Sequence, residues 1–236
     1  MTCTLDGGRA HPYSEVVNPM PSPATALTAL ARLGVDAAAD RRTKQGYLRW
    51  LPAAGAVLDV GCGAGAFLDV AKAASLMPVG IDLDAKLARQ RGHDVHEGDA
   101  IAVLGELTQR GKVFAGAVLA HVIEHVDGEG AITLLRAIAA VLPPGAPLVL
   151  VTPNSRNYIV LSELFWLDPT HVRPYPRRLL ERIGEACGFD MVASYDDPST
   201  RPYRSWPRAL VARLRSLLSG VDKSGALDAV VVLRRR

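Results

Sequence analysis

A chain of 236 residues, 49% hydrophobic and 22% charged, has the make-up of an ordinary soluble enzyme and can bury one sizeable core. Its formal net charge of +3 gives no electrostatic case for nucleic acid as a partner. Three scattered cysteines (Cys3, Cys62, Cys187) argue against a disulfide framework or a zinc site and suit a reducing compartment. No apolar run approaches about 18 residues. The N-terminus carries His11, Pro12 and Glu15 where a signal peptide needs an apolar core, so a cytoplasmic protein is expected.

Residues 1–23, rich in Gly, Pro and polar types, read as an arm. A helix is expected from Ala24, just behind Pro23, to Gly34. A second runs from Asp40 to Leu51, is broken by Pro52, and carries Arg41, Arg42, Lys44, Tyr47 and Trp50. Residues 1–52 are thus an arm with helices ahead of one α/β domain, residues 53–236. The apolar run Ala56–Val60 reads as a buried strand of a parallel sheet. It leads into Gly61, Gly63 and Gly65 at alternate positions, then into an alanine-rich helix ending near Ser75. Glycines suit a sharp strand-to-helix turn and a close approach of backbone to a ligand. The pattern is G-x-G-x-G behind Asp59, not the dinucleotide G-x-G-x-x-G, and without G-K-[ST] it is no P-loop. An acid ahead of the turn repels phosphate and suits a cofactor that carries an ammonium group.

The stretch from Asp59 to Gly65 resembles the first motif of the class I S-adenosylmethionine-dependent methyltransferases. The resemblance implies a doubly wound, Rossmann-like α/β fold: a seven-stranded sheet with its last strand antiparallel, N-terminal lid helices and a C-terminal helical insertion. It implies S-adenosyl-L-methionine as cofactor, bound by Asp59, Gly61, Cys62, Gly63 and Gly65. Val79–Asp82 is the next strand, and Asp82 at its end suits a ribose diol, with Leu83 following; Asp84 is better placed to cap a helix. After a short strand at 94–96, the resemblance puts Asp99 on the adenine amino group and the Ala100 N–H on a ring nitrogen. Asp99 also suits the N-cap of a helix over Ala100–Gln109.

A fourth strand is expected over Val113–Ala120, followed by His121-Val122-Ile123-Glu124-His125. As a string this is the inverted zinc-protease pattern H-x-x-E-H, which belongs on a helix; directly after a strand it is rejected. The same residues match the x-V-L-E-H stretch behind the fourth strand of methyltransferases. In ubiquinone-pathway O-methyltransferases the form E-x-x-E-H is associated with a divalent cation. His121 replaces the first Glu here, and two readings stand side by side. Either His121, Glu124 and His125 share one face of a helical turn and hold Mg²⁺ or another divalent ion, or Glu124 and His125 cap the helix over Gly130–Leu142.

Pro144-Gly145 and Thr152-Pro153-Asn154 flank the fifth strand, Pro147–Thr152, and match the family's L-x-P-G-G-x-L-x-x-x-T-P-N. An insertion, Ser155–Trp166, precedes Asp168-Pro169-Thr170-His171-Val172-Arg173-Pro174. Its two prolines hold this segment extended, as a loop over the strand ends with His171 and Arg173 turned to the site. From about Val57 to Phe189 the chain resembles methyltransferases of bacterial polysaccharides and glycosylated metabolites, including those that cap a glycan chain. A helix over Pro176–Cys187, a sixth strand over Phe189–Tyr195 and a seventh over Ala226–Leu233 close the domain. Between them, Pro198–Ser219 is basic (Arg201, Arg204, Arg208, Arg213, Arg215); it reads as a surface helix or a homodimer contact, with a membrane or lipid-linked acceptor as the alternative.

The implied reaction is methyl transfer to a hydroxyl of a sugar, oligosaccharide or glycosylated metabolite, with a small-molecule or glycan partner. An aminosugar or other amine is the alternative acceptor. His121, His125 and His171 are the candidate bases.

Overall fold

The computed structural model describes residues 37–201, 211 and 225–236. The arm, the expected helix at 24–34 and most of the basic segment lie outside them. Seven strands form one sheet in the order β3-β2-β1-β4-β5-β7-β6. They are β1 (Ala56–Val60), β2 (Met77–Asp82), β3 (Val95–Glu97), β4 (Gly116–Ala120), β5 (Pro147–Pro153), β6 (Phe189–Asp196) and β7 (Asp228–Arg235). The first five pair in parallel, while β7 lies antiparallel between β5 and β6. The helices are α1 (Ala37–Gln45), α2 (Ala66–Ala73), α3 (Lys86–Gln90), α4 (Ala100–Gln109), α5 (Gly128–Ala140), α6 (Tyr158–Ser162) and α7 (Arg177–Ala186). Among the described residues, no helix is long and apolar enough to cross a membrane.

Strand residues alternate between two cores, as the two-residue period of a strand requires. Leu58, Val60, Leu119, Leu148 and Leu150 bury against Leu104 of α4 and Leu134, Leu135 and Ile138 of α5. Val57, Val118, Val149, Val151, Val230 and Val232 bury against Phe67 and Ala71 of α2 and against Tyr47. Helix α1 packs on α2, held by the Arg41–Asp69 ion pair at 3.2 Å. The strand order reverses between β1 and β4, which neighbour each other although β2 and β3 come between them in the chain. Ligands of open α/β sheets bind at such a switch point, beyond the carboxyl ends of the strands.

Several elements differ from expectation. Strand β4 begins at Gly116, because Val113 is exposed and the Phe114 N–H bonds the Val141 carbonyl instead of a neighbouring strand. The second N-terminal helix stops at Gln45, and only a 3-10 turn, Leu48–Trp50, follows it. The insertion holds a short helix, α6, and a 3-10 turn over Leu164–Leu167. Helix α5 is capped by Asp127, whose Oδ1 accepts from the Gly130 N–H at 2.7 Å. Glu124 and His125 therefore do not cap it.

Candidate active site

The turn after β1 is built on backbone that only glycine adopts without strain. Gly61, Gly63 and Gly65 have φ of +78°, +53° and +84°. A Cβ on Gly61 would lie 2.1 Å from Val122 Cγ2, whereas one on Gly63 would meet nothing within 4 Å. The chain thus packs tightly behind the turn and leaves open space in front of it. The N–H groups of Gly61 and Cys62 both donate to the Ile81 carbonyl at the end of β2. The Gly63 N–H donates to Asp82 Oδ2 at 2.6 Å, and the Asp84 N–H to Asp82 Oδ1 at 3.0 Å. Asp82 therefore fastens the turn to β2 and keeps lone pairs free for a diol. Asp84 Oδ1 accepts from the Lys86 N–H and starts α3. Leu83 is 76% exposed beside Asp82, an apolar surface fit for a flat ring. Asp99 caps α4 by accepting from the Ala102 N–H, with Ala100 as the first residue of that helix.

Asp59 lies on the Val57 face of β1, where Tyr47 packs, and is buried. Burial raises its carboxyl from 3.8 to about 7; the Lys44 charge opposes that rise and Asp82 adds to it. Of the basic residues on the N-terminal helix, Lys44 is thus the one that reaches the site electrostatically. Burial also holds the Cys62 thiol protonated, well above its ordinary range. The open cradle at Gly63, the acid at the end of β2 and the buried acid behind the turn all fit an adenosyl cofactor bearing an amino acid head.

The second half of the site lies beyond β4 and β5. His121 follows β4 with φ of +56°, uncommon for a residue with a side chain. Its Nδ1 lies 3.3 Å from Glu124 Oε1 and its Nε2 3.6 Å from Asp228 Oδ2, with the side chain 44% exposed. Partial desolvation pulls its pKa down, but the carboxylates of Asp228 and Glu124 outweigh this and hold it well above the ordinary value. The two carboxylates favour its imidazolium form, in which the ring carries no lone pair.

Residues 123–125 form a 3-10 turn, and Glu124 is completely buried. Its Oε2 accepts from the Thr152 hydroxyl at 3.1 Å, while Oε1 has no hydrogen-bond partner. The His121 approach to Oε1 is a charge contact that lacks hydrogen-bond geometry. The backbone of the Asp168–Pro174 loop closes over this turn, the Val172 and Arg173 N–H groups donating to the Glu124 carbonyl. This seats His171 beside His125, with ring centroids 4.8 Å apart. Glu124, His125 and His171 each present one ligand atom, all within 4.8 Å of one another. Of the expected trio, His121 approaches Glu124 from the side of Asp228, while His171 is the residue that joins Glu124 and His125 in this group. Arg173 is set apart from it, its guanidinium 5.0 Å over the Tyr175 ring.

Hydrogen bonds fix the tautomers of both rings. His171 Nδ1 lies 2.6 Å from the Phe165 carbonyl, which can only accept, so that nitrogen carries the proton. The Thr170 hydroxyl donates to Asp168 Oδ1 at 2.6 Å. It therefore accepts from His125 Nδ1 at 2.9 Å, as does the Thr170 carbonyl at 3.2 Å. In the neutral form of either ring the lone pair is therefore on Nε2.

The sequence matches the model of a methyltransferase domain over residues 34–194. The chain belongs to this methyltransferase family. It is an S-adenosylmethionine-dependent methyltransferase, with that compound as cofactor. No curated protein matches its sequence. Among solved structures it is similar to a SAM-dependent methyltransferase from Archaeoglobus fulgidus, at 23% identity and TM-score 0.69 over 84% of this chain and 94% of that one. It is also similar to the mitomycin 7-O-methyltransferase (16%, TM-score 0.60, 84% and 54%). A third is the 1,6-didemethyltoxoflavin-N1-methyltransferase of Burkholderia thailandensis (18%, TM-score 0.56, 98% and 93%). At these identities the likeness is one of fold.

Other residues, to which the sequence assigned no role, hold this half of the site together. Asp228 opens β7 opposite Pro153 and reaches His121 from the far end of the chain. Phe165 and Thr170 set the two tautomers, and Thr152, flagged only as part of T-P-N, holds Glu124. Asn154 and Asn157, both buried, donate to the carbonyls of Ala226 and Gly225 and tie the insertion to the segment before β7.

Proposed function

We propose that the methyltransferase transfers the methyl group to a hydroxyl of a sugar, oligosaccharide or glycosylated metabolite. The observation that carries this reading is the pair of imidazoles, each with its Nδ1 held by a backbone carbonyl, beside the buried Glu124 at the carboxyl end of the sheet. A hydroxyl is a poor nucleophile until its proton is drawn away, and a positioned base contributes about 10²–10⁴-fold. When bound, S-adenosylmethionine supplies a sulfonium-activated methyl group. In the proposed step Nε2 of His171 or His125 takes the hydroxyl proton, the O–CH₃ bond forms and the S–CH₃ bond breaks. The chain's remaining task is alignment. Asp82 and the glycine turn fix the donor end. Asp59, once ionised, faces the ammonium, and Asp99 the adenine. On the acceptor side, Tyr158, Trp166 and Leu167 are exposed on the insertion and offer an apolar rim for a ring face. The tested outcome is transfer of labelled methyl from S-adenosylmethionine to neutral glycans in a panel that also contains aminosugars and other amines. Labelling of amines alone would replace the hydroxyl reading with N-methylation.

A further inference from the structure

We infer that Asp69 is a positioning residue for the cofactor: its carboxylate joins helix α1 to the glycine turn, so that cofactor binding and the seating of α1 are coupled. The inference concerns the donor half of the site and holds for any acceptor.

Asp69 lies in the first turn of α2, and its N–H donates to the Gly65 carbonyl at 3.0 Å. Three cationic side chains from two other segments converge on its carboxylate. Arg41 of α1 reaches Oδ2 at 3.2 Å, and Arg91, just past α3, reaches the same oxygen. His93, two residues further on, brings Nε2 to 3.0 Å from Oδ1. That side chain is only 4% exposed, and its Nε2 makes no hydrogen bond among the described residues, so the Asp69 carboxylate is the polar group it faces.

The segment that carries Arg91 and His93 also holds the turn itself. Arg91 Nη1 donates to the Ala64 carbonyl at 2.8 Å. The His93 ring lies so close over Gly65 that a Cβ there would meet its Cδ2 at 2.6 Å. Asp69 thus sits between the groups that brace the turn and the guanidinium that arrives from α1.

Helix α1 depends on such a tie. Its nine residues, AAADRRTKQ, include no apolar side chain larger than alanine, so it has no hydrophobic stripe to bury. A helix this short is marginal without tertiary contacts. It is fastened through Arg41 on Asp69 at one place and through Thr43, which accepts from the Ser199 hydroxyl at 3.0 Å, at another. Helix α1 also carries Lys44, whose charge acts on the buried Asp59. Exposed ion pairs contribute little one at a time, but here three cations share one carboxylate between segments that must hold their places together. If seating α1 favours the ordered turn, a ligand of that turn must favour the seated helix to the same extent.

The test is the affinity of the full chain for S-adenosylhomocysteine by calorimetry, with hydrogen exchange of the α1 amides as a second readout. Asp69→Asn should weaken binding about tenfold and Arg41→Ala about threefold, with Arg41→Lys restoring most of the loss. Because Arg41 acts through Asp69, the Arg41→Ala/Asp69→Asn double variant should bind no more weakly than Asp69→Asn alone. S-adenosylhomocysteine should slow exchange along α1 in the unmodified chain and in Arg41→Lys, but not in Asp69→Asn. The Arg41 side chain is 54% exposed, so its two variants keep the test valid if Asp69→Asn does not fold. Unchanged affinity in Arg41→Ala, additive losses in the double variant, or exchange that the ligand slows equally in every variant would overturn the coupling.

Discussion

In the half of the site carried by β1, β2 and β3, groups are placed by backbone. Three positive-φ glycines make the turn, two N–H groups fix it to the Ile81 carbonyl, and Asp82 and Asp99 sit where strands end and a helix begins. In the half carried by β4, β5 and β7, groups are placed by side chains from remote segments. Asp228 holds His121, Thr152 holds Glu124, Thr170 holds His125 and the Phe165 carbonyl holds His171. The contrast is that of a fixed donor with a variable acceptor. A turn set by local conformation serves any reaction of one cofactor, while a cluster assembled from loops can be rebuilt for each acceptor.

The contrast breaks hardest at Gly61. Gly61→Ala forces a side chain onto φ +78° and into Val122 Cγ2 at 2.1 Å, and Val122 belongs to the other half. The expected result is loss of cofactor binding by calorimetry together with a lower melting temperature, a destabilisation of about 2–4 kcal/mol. Gly63→Ala, with nothing within 4 Å of the new Cβ, should weaken the cofactor while lowering the melting temperature less. Equal melting temperatures for the two variants would mean that the turn is not wedged against the second half.

A smaller effect should appear with pH. Asp59 has its carboxyl raised from 3.8 to about 7, chiefly by burial. The folded chain therefore keeps a proton that the unfolded chain has lost, and its stability should fall as pH rises from about 4 to about 7, then level off. Cofactor affinity should run the other way, since the ammonium requires the carboxylate: about tenfold weaker at pH 6 than at pH 8. Melting and calorimetry across this range should show both slopes, and Asp59→Asn should flatten them. An affinity that ignores pH in the unmodified protein would remove Asp59 from the ammonium.

What was legible in the sequence follows the same division. The glycine turn, Asp82 at the end of β2 and Asp99 as the cap of α4 could be placed because strand ends, turns and caps are local in the chain. Glu124 and His125 were grouped with His121 because a helical turn was expected after β4. The chain makes a 3-10 turn there, with His121 at φ +56° and turned to Asp228. His171 was placed over the site by its proline-flanked loop, but not beside His125. That contact depends on the Val172 and Arg173 N–H groups reaching the Glu124 carbonyl, a pairing that carries no periodicity or spacing. Phe165, which sets a tautomer through its carbonyl, had no residue-type signal at all.

The most direct measurement of the division is made on one protein, the His125→Ala/His171→Ala double variant. Its affinity for S-adenosylhomocysteine is read by calorimetry, and its turnover by transfer of labelled methyl to an acceptor that the unmodified chain accepts. With the donor held by β1, β2 and β3 and the acceptor by the histidine cluster, affinity should stay within about twofold while turnover drops by about 10²–10⁴-fold. A loss of affinity as large as the loss of turnover would contradict the account, because the two histidines would then belong to the cofactor site.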